Sequence, residues 1–461
     1  MLKHIDIKMN SSKIRNIIRK NGEYMNKRLS KKEFISISMM LFALLFGSGN
    51  LIFPPMLGNQ SGSAMFLALL GFVVSAIVFP VLGILAVAKT NGVENLGRRV
   101  GPAFALIYPA ILFLAIGPGI AIPRNGSLAF QMSVAPYINE ASSLIFPRLI
   151  YTMLFFGLAY YLSSSPNKMV DRIGKVITPL LFILIIIFFV GSLINLPVTI
   201  AGPTTTYQSP FLRGILEGYN TMDILAALNF GLVIALTIRT FQIHDERKII
   251  KYSSGAGLGA GILLFVVYSM LAYVGTIGSG ANQNVANGGE ILFGVTNTVF
   301  GSFGSIILIL IFTLACLTTA VGLITSVSEY FTELTNGRLT YKQWMTIYTL
   351  ISFVLANFGL NSILKFSLPV LASIYPTAIV LIVMALLQDI FDFNQLTYKG
   401  TIYVTLFMSI LAGFKEAKIH LPLLSNFASY FPLYEEGLEW LVPSILSLLV
   451  LTIFSKIKQI N

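Results

Sequence analysis

Charge is the first thing this sequence lacks. Only 11% of its 461 residues are Asp, Glu, Lys or Arg, whereas 55% are hydrophobic and the mean hydropathy is +0.80. A soluble globular chain is about 25% charged, so a soluble enzyme or binding domain is excluded. The expectation is an all-α integral membrane protein, divided into spans of about 20 residues. Cysteine is nearly absent: Cys316 stands alone, which rules out an intrachain disulfide. The three histidines, at positions 4, 244 and 420, form no metal-ligand cluster. No G-x-x-x-x-G-K-S/T loop is present, so the chain has no phosphate cradle of that kind. ATP-driven pumping by this chain is not expected, and no ATPase subunit is required. The spans are also nearly empty of His, Asp, Glu and Cys at a shared depth, which disfavours a membrane enzyme.

The charge that is present has a pattern. The net charge is +12, but the basic residues stand at the ends of apolar runs, which sets topology rather than binding nucleic acid. Apolar runs separated by charge, Gly or Pro give twelve spans at about 34–57, 64–88, 102–132, 148–162, 174–196, 222–240, 255–277, 301–330, 343–360, 364–388, 400–414 and 439–455. With the N-terminus inside, most of the 31 Lys and Arg residues fall on the cytoplasmic side, which places both termini in the cytoplasm by the positive-inside rule. Residues 1–33 are then a basic cytoplasmic tail, with "SSKIRNIIRK" as a segment that could meet anionic lipid headgroups. They show no apolar core or cleavage site of a signal peptide. Residues 34–455 form the membrane domain and 456–461 a cytoplasmic tail. A short helix is expected near 287–299 in the external segment 278–300.

The first span is built to come apart. "FGSGNLIFPP", residues 46–55, sets Gly47, Gly49, Asn50, Pro54 and Pro55 into an uncharged run between Glu33 and Lys89. Glycine frees the backbone, and proline removes a donor. Freed backbone groups survive at membrane depth only where they are buried in protein or line a cavity. Half-helix N-termini can face a carboxylate, and freed carbonyls can hold a cation. Transporters with inverted repeats carry a second interrupted helix at the matching place. For a five-helix repeat this is span six, where Asn229 and Gly231 flank Phe230. In span eight, Ala315, Thr318 and Thr319 fall at i, i+3 and i+4 and share a helix face; one carbonyl and two hydroxyls there suit a small hard cation. Asp223 and Arg124 are charges at membrane depth and functional suspects. A helix cap, an external gate or a proton-sensitive group are open for Asp223, and a snorkelling or structural ion-pair role for Arg124. A channel would need a selectivity filter, and none is evident.

"FGSGNLIFPPMLGNQSG" resembles the first-helix signature of the bacterial branched-chain amino acid transport system II carriers, a family of branched-chain amino acid:cation symporters. "GPGIAIPRNGS", "EGYNTMDILAALNFG", "CLTTAVGL", "SLPVLASIYP" and "EEGLEWLVP" resemble later segments of that family in the same order, from about residue 30 to 455. The resemblance implies uptake of leucine, isoleucine and valine driven by a cation gradient, sodium favoured over protons, with no other cofactor. A sensor of the same fold, or a carrier of another small apolar amino acid, is the alternative. A more distant similarity is to the leucine-transporter fold: five-plus-five inverted repeats (about 34–196 and 222–388) with broken helices one and six, plus two extra helices (about 400–455). That similarity implies a sodium site from the carbonyls of Ala43, Phe46 and Ala315 and the hydroxyls of Thr318 and Thr319. It implies substrate contacts at Gly47, Ser48, Gly49 and Asn50 and at Asn229, Phe230 and Gly231, with Phe230 beside the aliphatic side chain.

Overall fold

A computed structural model describes residues 28–138, 144–280, 285–419 and 421–460, of which the side chains of 458–460 are not described. The segment "SSKIRNIIRK" and most of the basic tail lie outside the described residues, as does Asn461. The described chain is helical, without strands. Helix stands at each of the twelve expected positions. Among the described residues, eight helical stretches are long and apolar enough to cross a membrane, Ser48–Thr90 among them as one continuous piece.

The first span is two helices, α1 (Lys31–Leu45) and α2 (Ser48–Ser61). Ser30 starts α1 by a reciprocal cap: its hydroxyl accepts from Glu33 N–H, and the Glu33 carboxylate accepts from Ser30 N–H, which satisfies two otherwise orphaned donors. The helix stops at Phe46, where Gly47 takes an extended conformation (φ −114°, ψ −155°). Pro54 and Pro55 stay inside α2, so the glycine opens the chain and the prolines do not. The second span runs through α3 (Met65–Val73), a π-turn and α4 (Phe79–Thr90), followed by the short α5 (Val93–Arg98).

The third span is also interrupted. Between α6 (Pro102–Leu114) and α7 (Ala121–Ser133) the stretch Ala115–Gly119 widens to a π-turn, and Gly117 leaves helical geometry (φ −80°, ψ −119°). Pro118 cannot donate to the ladder there. After α8 (Ile145–Ser163) and α9 (Thr178–Asn195) the chain forms α10 (Pro210–Tyr219) and α11 (Asp223–Thr240). Helix α11 fills the sixth span expected at 222–240, and α10 extends that span back to residue 210 across Asn220–Met222. Helices α10 and α3 approach so closely that a β-carbon at Gly71 would strike the Phe211 carbonyl, and one at Gly214 the Ala68 carbonyl.

The second half of the chain holds α12 (Glu246–Ile277), α13 (Gly288–Phe300), α14 (Ser302–Leu334), α15 (Tyr341–Ala356), α16 (Leu360–Phe391), α17 (Gln395–Glu416), α18 (Pro422–Ser429) and α19 (Leu441–Ile460). The short helix expected near 287–299 is α13, capped by Asn287, whose side chain accepts from Gly289 and Glu290 N–H. Helices α1, α2, α7 and α11, which border the breaks, lie inside with the continuous α14; Phe42, Phe46, Leu225 and Ala315 are fully buried. The outer helices expose apolar faces: Ile145 and Leu154 on α8, Ile183 and Ile194 on α9, Leu446 and Val450 on α19. Such extended apolar surface suits hydrocarbon as solvent and not water.

Candidate functional site

Three interruptions meet at one cavity. A cavity of about 20 Å³, room for about one water, lies between the first break, the start of α7 and the sixth-span break; Gly47, Asn50, Arg124, Asn125, Asp223 and Thr319 are among the residues that line it.

The first break is held by two asparagines. Asn50 Oδ1 accepts from Gly47 N–H at 2.9 Å, and Asn125 Oδ1 accepts from Ser48 N–H at 2.9 Å. Freed amides at the head of α2 are thus partly satisfied inside the protein, as non-helical backbone at this depth requires. Gly47 and Gly49 are there because nothing larger fits. A β-carbon at Gly47 would stand 2.9 Å from Thr319 Oγ1, and one at Gly49 would stand 2.7 Å from Arg124 Nη2 and 2.9 Å from Thr221 Cα.

The sixth span breaks at Asn220–Met222, not at Asn229–Gly231. Met222 sits in the left-handed region (φ +69°), and α11 then runs unbroken from Asp223 to Thr240. The expected substrate contacts to the backbone of Asn229, Phe230 and Gly231 lose their basis, because these residues are helix interior. The physical reason is packing. Gly231 gives room to Val87, whose Cβ would stand 2.8 Å from a β-carbon at 231, and a helix tolerates glycine where a neighbour needs the space. Phe230 lies one turn beyond the cavity-lining Ala226, close to Gly322. Asn229 is buried with neither side-chain polar atom hydrogen-bonded. The signal for the true break was "NTMD": short polar residues that compete with the helix, followed by an acid suited to a helix start.

Asp223 opens α11, and its carboxylate is fully buried. Asn50 Nδ2 donates to both of its oxygens at 2.8 Å, and Tyr268 OH donates to Oδ2 at 2.8 Å. Asn50 also donates to Tyr268 OH. This cluster ties span one to spans six and seven. Tyr268 and Asn125 were not legible as site residues in the sequence.

Arg124 is 2% exposed, so it does not snorkel. Its Nε donates to Ser48 Oγ at 3.0 Å and its Nη1 to the Asn220 carbonyl at 3.0 Å. Among the described residues no carboxylate lies within ion-pair distance of it, so the structural ion pair is not formed.

Of the expected cation ligands, Ala43, Ala315, Thr318 and Thr319 lie together. Thr318 Oγ1 lies 2.9 Å from the Ala43 carbonyl oxygen and 3.0 Å from that of Ala315, and Thr319 Oγ1 lies 3.3 Å from the Ala43 oxygen. Phe46 closes α1, donating to the Phe42 carbonyl at 2.8 Å. The donor set is neutral oxygen, which fits a hard monovalent cation better than a transition metal. Among the described residues there is no group of three or more His, Cys, Asp or Glu side chains placed to hold a metal.

Two larger cavities flank the central one along the same helices. One, of about 510 Å³, is reached by Arg213, Tyr219 and Asn220 on one side and Glu435, Glu436 and Glu439 on the other. The second, of about 210 Å³, is lined by Val233 and Thr237 of α11 and by Thr325 and Glu329 of α14.

Residues 30–458 match the protein family described as "Branched-chain amino acid transport protein". The chain belongs to this family. It is 38% identical over 444 residues to the branched-chain amino acid permease BraB of Bacillus subtilis (strain 168), covering 95% of this chain and 99% of that one. It is 38% identical over 425 residues to the permease BrnQ of the same organism, covering 91% and 96%. The family's named members are permeases and carriers, not enzymes. Two solved structures share the fold at low identity. MhsT in complex with L-phenylalanine has a TM-score of 0.52 at 17% identity, covering 92% of this chain and 98% of that chain. Mhp1, a nucleobase-cation-symport-1 family transporter, has a TM-score of 0.56 at 10% identity, covering 92% of each. The leucine-transporter-like fold read from the first-helix motif is the fold of this family member.

Proposed function

We propose that this protein takes up branched-chain amino acids across the bacterial cytoplasmic membrane by alternating access, coupled to a cation, with sodium favoured over protons. Family membership supports the substrate class. The observation that carries the coupling is the position of Thr319: its hydroxyl faces the Ala43 carbonyl at 3.3 Å, and its side chain closes on Gly47 of the broken first helix. One residue therefore borders both the cation ligands and the cavity at the breaks. A sodium ion held by Ala43, Ala315, Thr318 and Thr319 would fix α1 against α14, which is the arrangement that shapes the cavity wall. Substrate and cation then raise each other's affinity by the same factor.

The order of cavities supports alternating access. On the sixth span Asn220 belongs to the large cavity, Ala226 to the central one and Val233 to the third. With both termini cytoplasmic, these are outer vestibule, occluded centre and inner vestibule. An amino acid enters the centre only when helices on one side move apart. Spans one and six, five apart, occupy corresponding places in an inverted five-helix repeat. The partners are the amino acid and the surrounding lipid.

The test is uptake of labelled leucine by purified protein in liposomes, with sodium and pH gradients imposed separately. Accumulation driven by an inward sodium gradient at constant pH is the expected result. Accumulation only under a pH gradient would replace sodium by the proton, and counterflow without accumulation would remove coupling altogether.

A further inference from the structure

A guanidinium stripped of water and given no carboxylate is costly, on the order of several kcal/mol. Arg124 is in that position, held by two neutral oxygens that both come from break segments, Ser48 Oγ and the Asn220 carbonyl. Asp223, an opposite charge on the same small cavity, is not brought to it; neutral donors from Asn50 and Tyr268 hold it instead. If Arg124 served only to bolt the two breaks together, a neutral donor would do so without the desolvation cost. Two unlike buried charges held apart across one cavity complement a molecule that carries both charges.

The placement of each charge specifies which end it takes. Arg124 Nη2 lies directly over Gly49, in the first turn of α2, where helix amides already favour an anion. An anion there meets the guanidinium and the half-helix head together. The Asp223 carboxylate is held by neutral side chains, Asn50, Tyr268 and Thr221, so its charge is not balanced by a cation. An ammonium entering the cavity that Asp223 lines supplies the opposite charge that it lacks.

We infer that Arg124 and Asp223 form a zwitterion clamp, Arg124 binding the substrate α-carboxylate and Asp223 the α-ammonium. The clamp rests on the amino-acid uptake reading above and deepens it. Side-chain charge then does at this site part of what helix ends do by dipole alone, and the clamp selects α-amino acids over amines or carboxylic acids of the same aliphatic shape.

The experiment measures dissociation constants for leucine, leucinol and 4-methylpentanoate by titration calorimetry on the purified full-length protein. In the wild type, leucinol (no carboxylate) and 4-methylpentanoate (no ammonium) bind at least about tenfold more weakly than leucine, the worth of one charge-assisted hydrogen bond. In Arg124→Gln, leucine falls to the leucinol level while leucinol itself is unchanged. In Asp223→Asn, leucine falls to the 4-methylpentanoate level while that acid is unchanged. Arg124→Lys keeps the charge without the fork and narrows the leucine-to-leucinol ratio partway; it carries the test should Arg124→Gln not fold. A leucine-to-leucinol ratio equal to wild type in either Arg124 variant overturns the clamp and leaves the uptake reading standing. A wild type that binds no leucine overturns both.

Discussion

Asn50 donates to both carboxylate oxygens of Asp223 at 2.8 Å, across 173 positions of sequence. Each residue lies in the first turn of the helix that follows a break, Asn50 in α2 and Asp223 in α11. The same asparagine accepts from Gly47 N–H, so one side chain caps its own half-helix and grips the other. The two interruptions are thereby a single structural unit, and a movement of either helix is felt at both.

Asn50→Leu removes these donors and leaves the buried Asp223 carboxylate with Tyr268 and Thr221 as side-chain partners. The expected loss of stability is about 1–3 kcal/mol, the cost of an unsatisfied buried polar group, read as a lower unfolding midpoint in detergent. Removing both partners of a buried bond costs much less than removing one. Asn50→Leu combined with Asp223→Leu should therefore recover most of the midpoint while uptake stays lost. A double variant no more stable than the single one would refute the pairing as the source of stability.

Gly49→Ala should abolish leucine uptake with normal membrane insertion, because its β-carbon would meet Arg124 Nη2 and the Thr221 backbone. Gly47→Ala meets the Thr319 side chain at 2.9 and 3.0 Å, so its effect should show as a shift in sodium dependence as well. Labelled-leucine uptake across a range of sodium concentrations separates the two variants.

Thr318→Val and Thr319→Val each remove one oxygen from the expected cation site while nearly keeping volume. The sodium concentration for half-maximal uptake should rise by roughly tenfold, about the worth of one buried polar ligand. Leucine affinity at saturating sodium should change far less. Thr325→Val is the control for sodium dependence alone: it lies about two turns further along α14, in the lining of the second cavity, and the sodium concentration for half-maximal uptake should stay as in the wild type. Unchanged sodium dependence in both variants would remove the cation site from α14.

Gly231 tests the corrected reading of the sixth span. Gly231→Ala would push a methyl against Val87, and uptake should fall. Adding Val87→Ala restores the space and should restore uptake to a large extent. A role of the Gly231 backbone in binding substrate predicts no such rescue.

Hydropathy and charge alone determined the all-helical membrane architecture, since a run of about 20 apolar residues has few other uses. The break at Gly47 was legible as well, because Gly-x-Gly-Asn in an uncharged run has no stable helical explanation unless a cavity receives its backbone. The i, i+3, i+4 spacing of Ala315, Thr318 and Thr319 needed only helix geometry; their meeting with Ala43, implied only by the resemblance to the leucine-transporter fold, is a tertiary contact.

Which of two polar interruptions in the sixth span actually opens was decided by tertiary structure. Asn229 and Gly231 have the composition of a break, but Val87 needs the space above Gly231, and the helix continues. Asn220–Met222 opens instead, where Arg124 takes up the Asn220 carbonyl and Tyr375 OH accepts from Ile224 N–H at 3.2 Å. Backbone groups leave a helix where partners from distant elements are waiting, and a local sequence does not contain those partners. The fates of Asp223 and Arg124 are of the same kind. Their burial, and the separation between them, depend on Asn50, Tyr268 and Ser48, which the fold alone brings within reach.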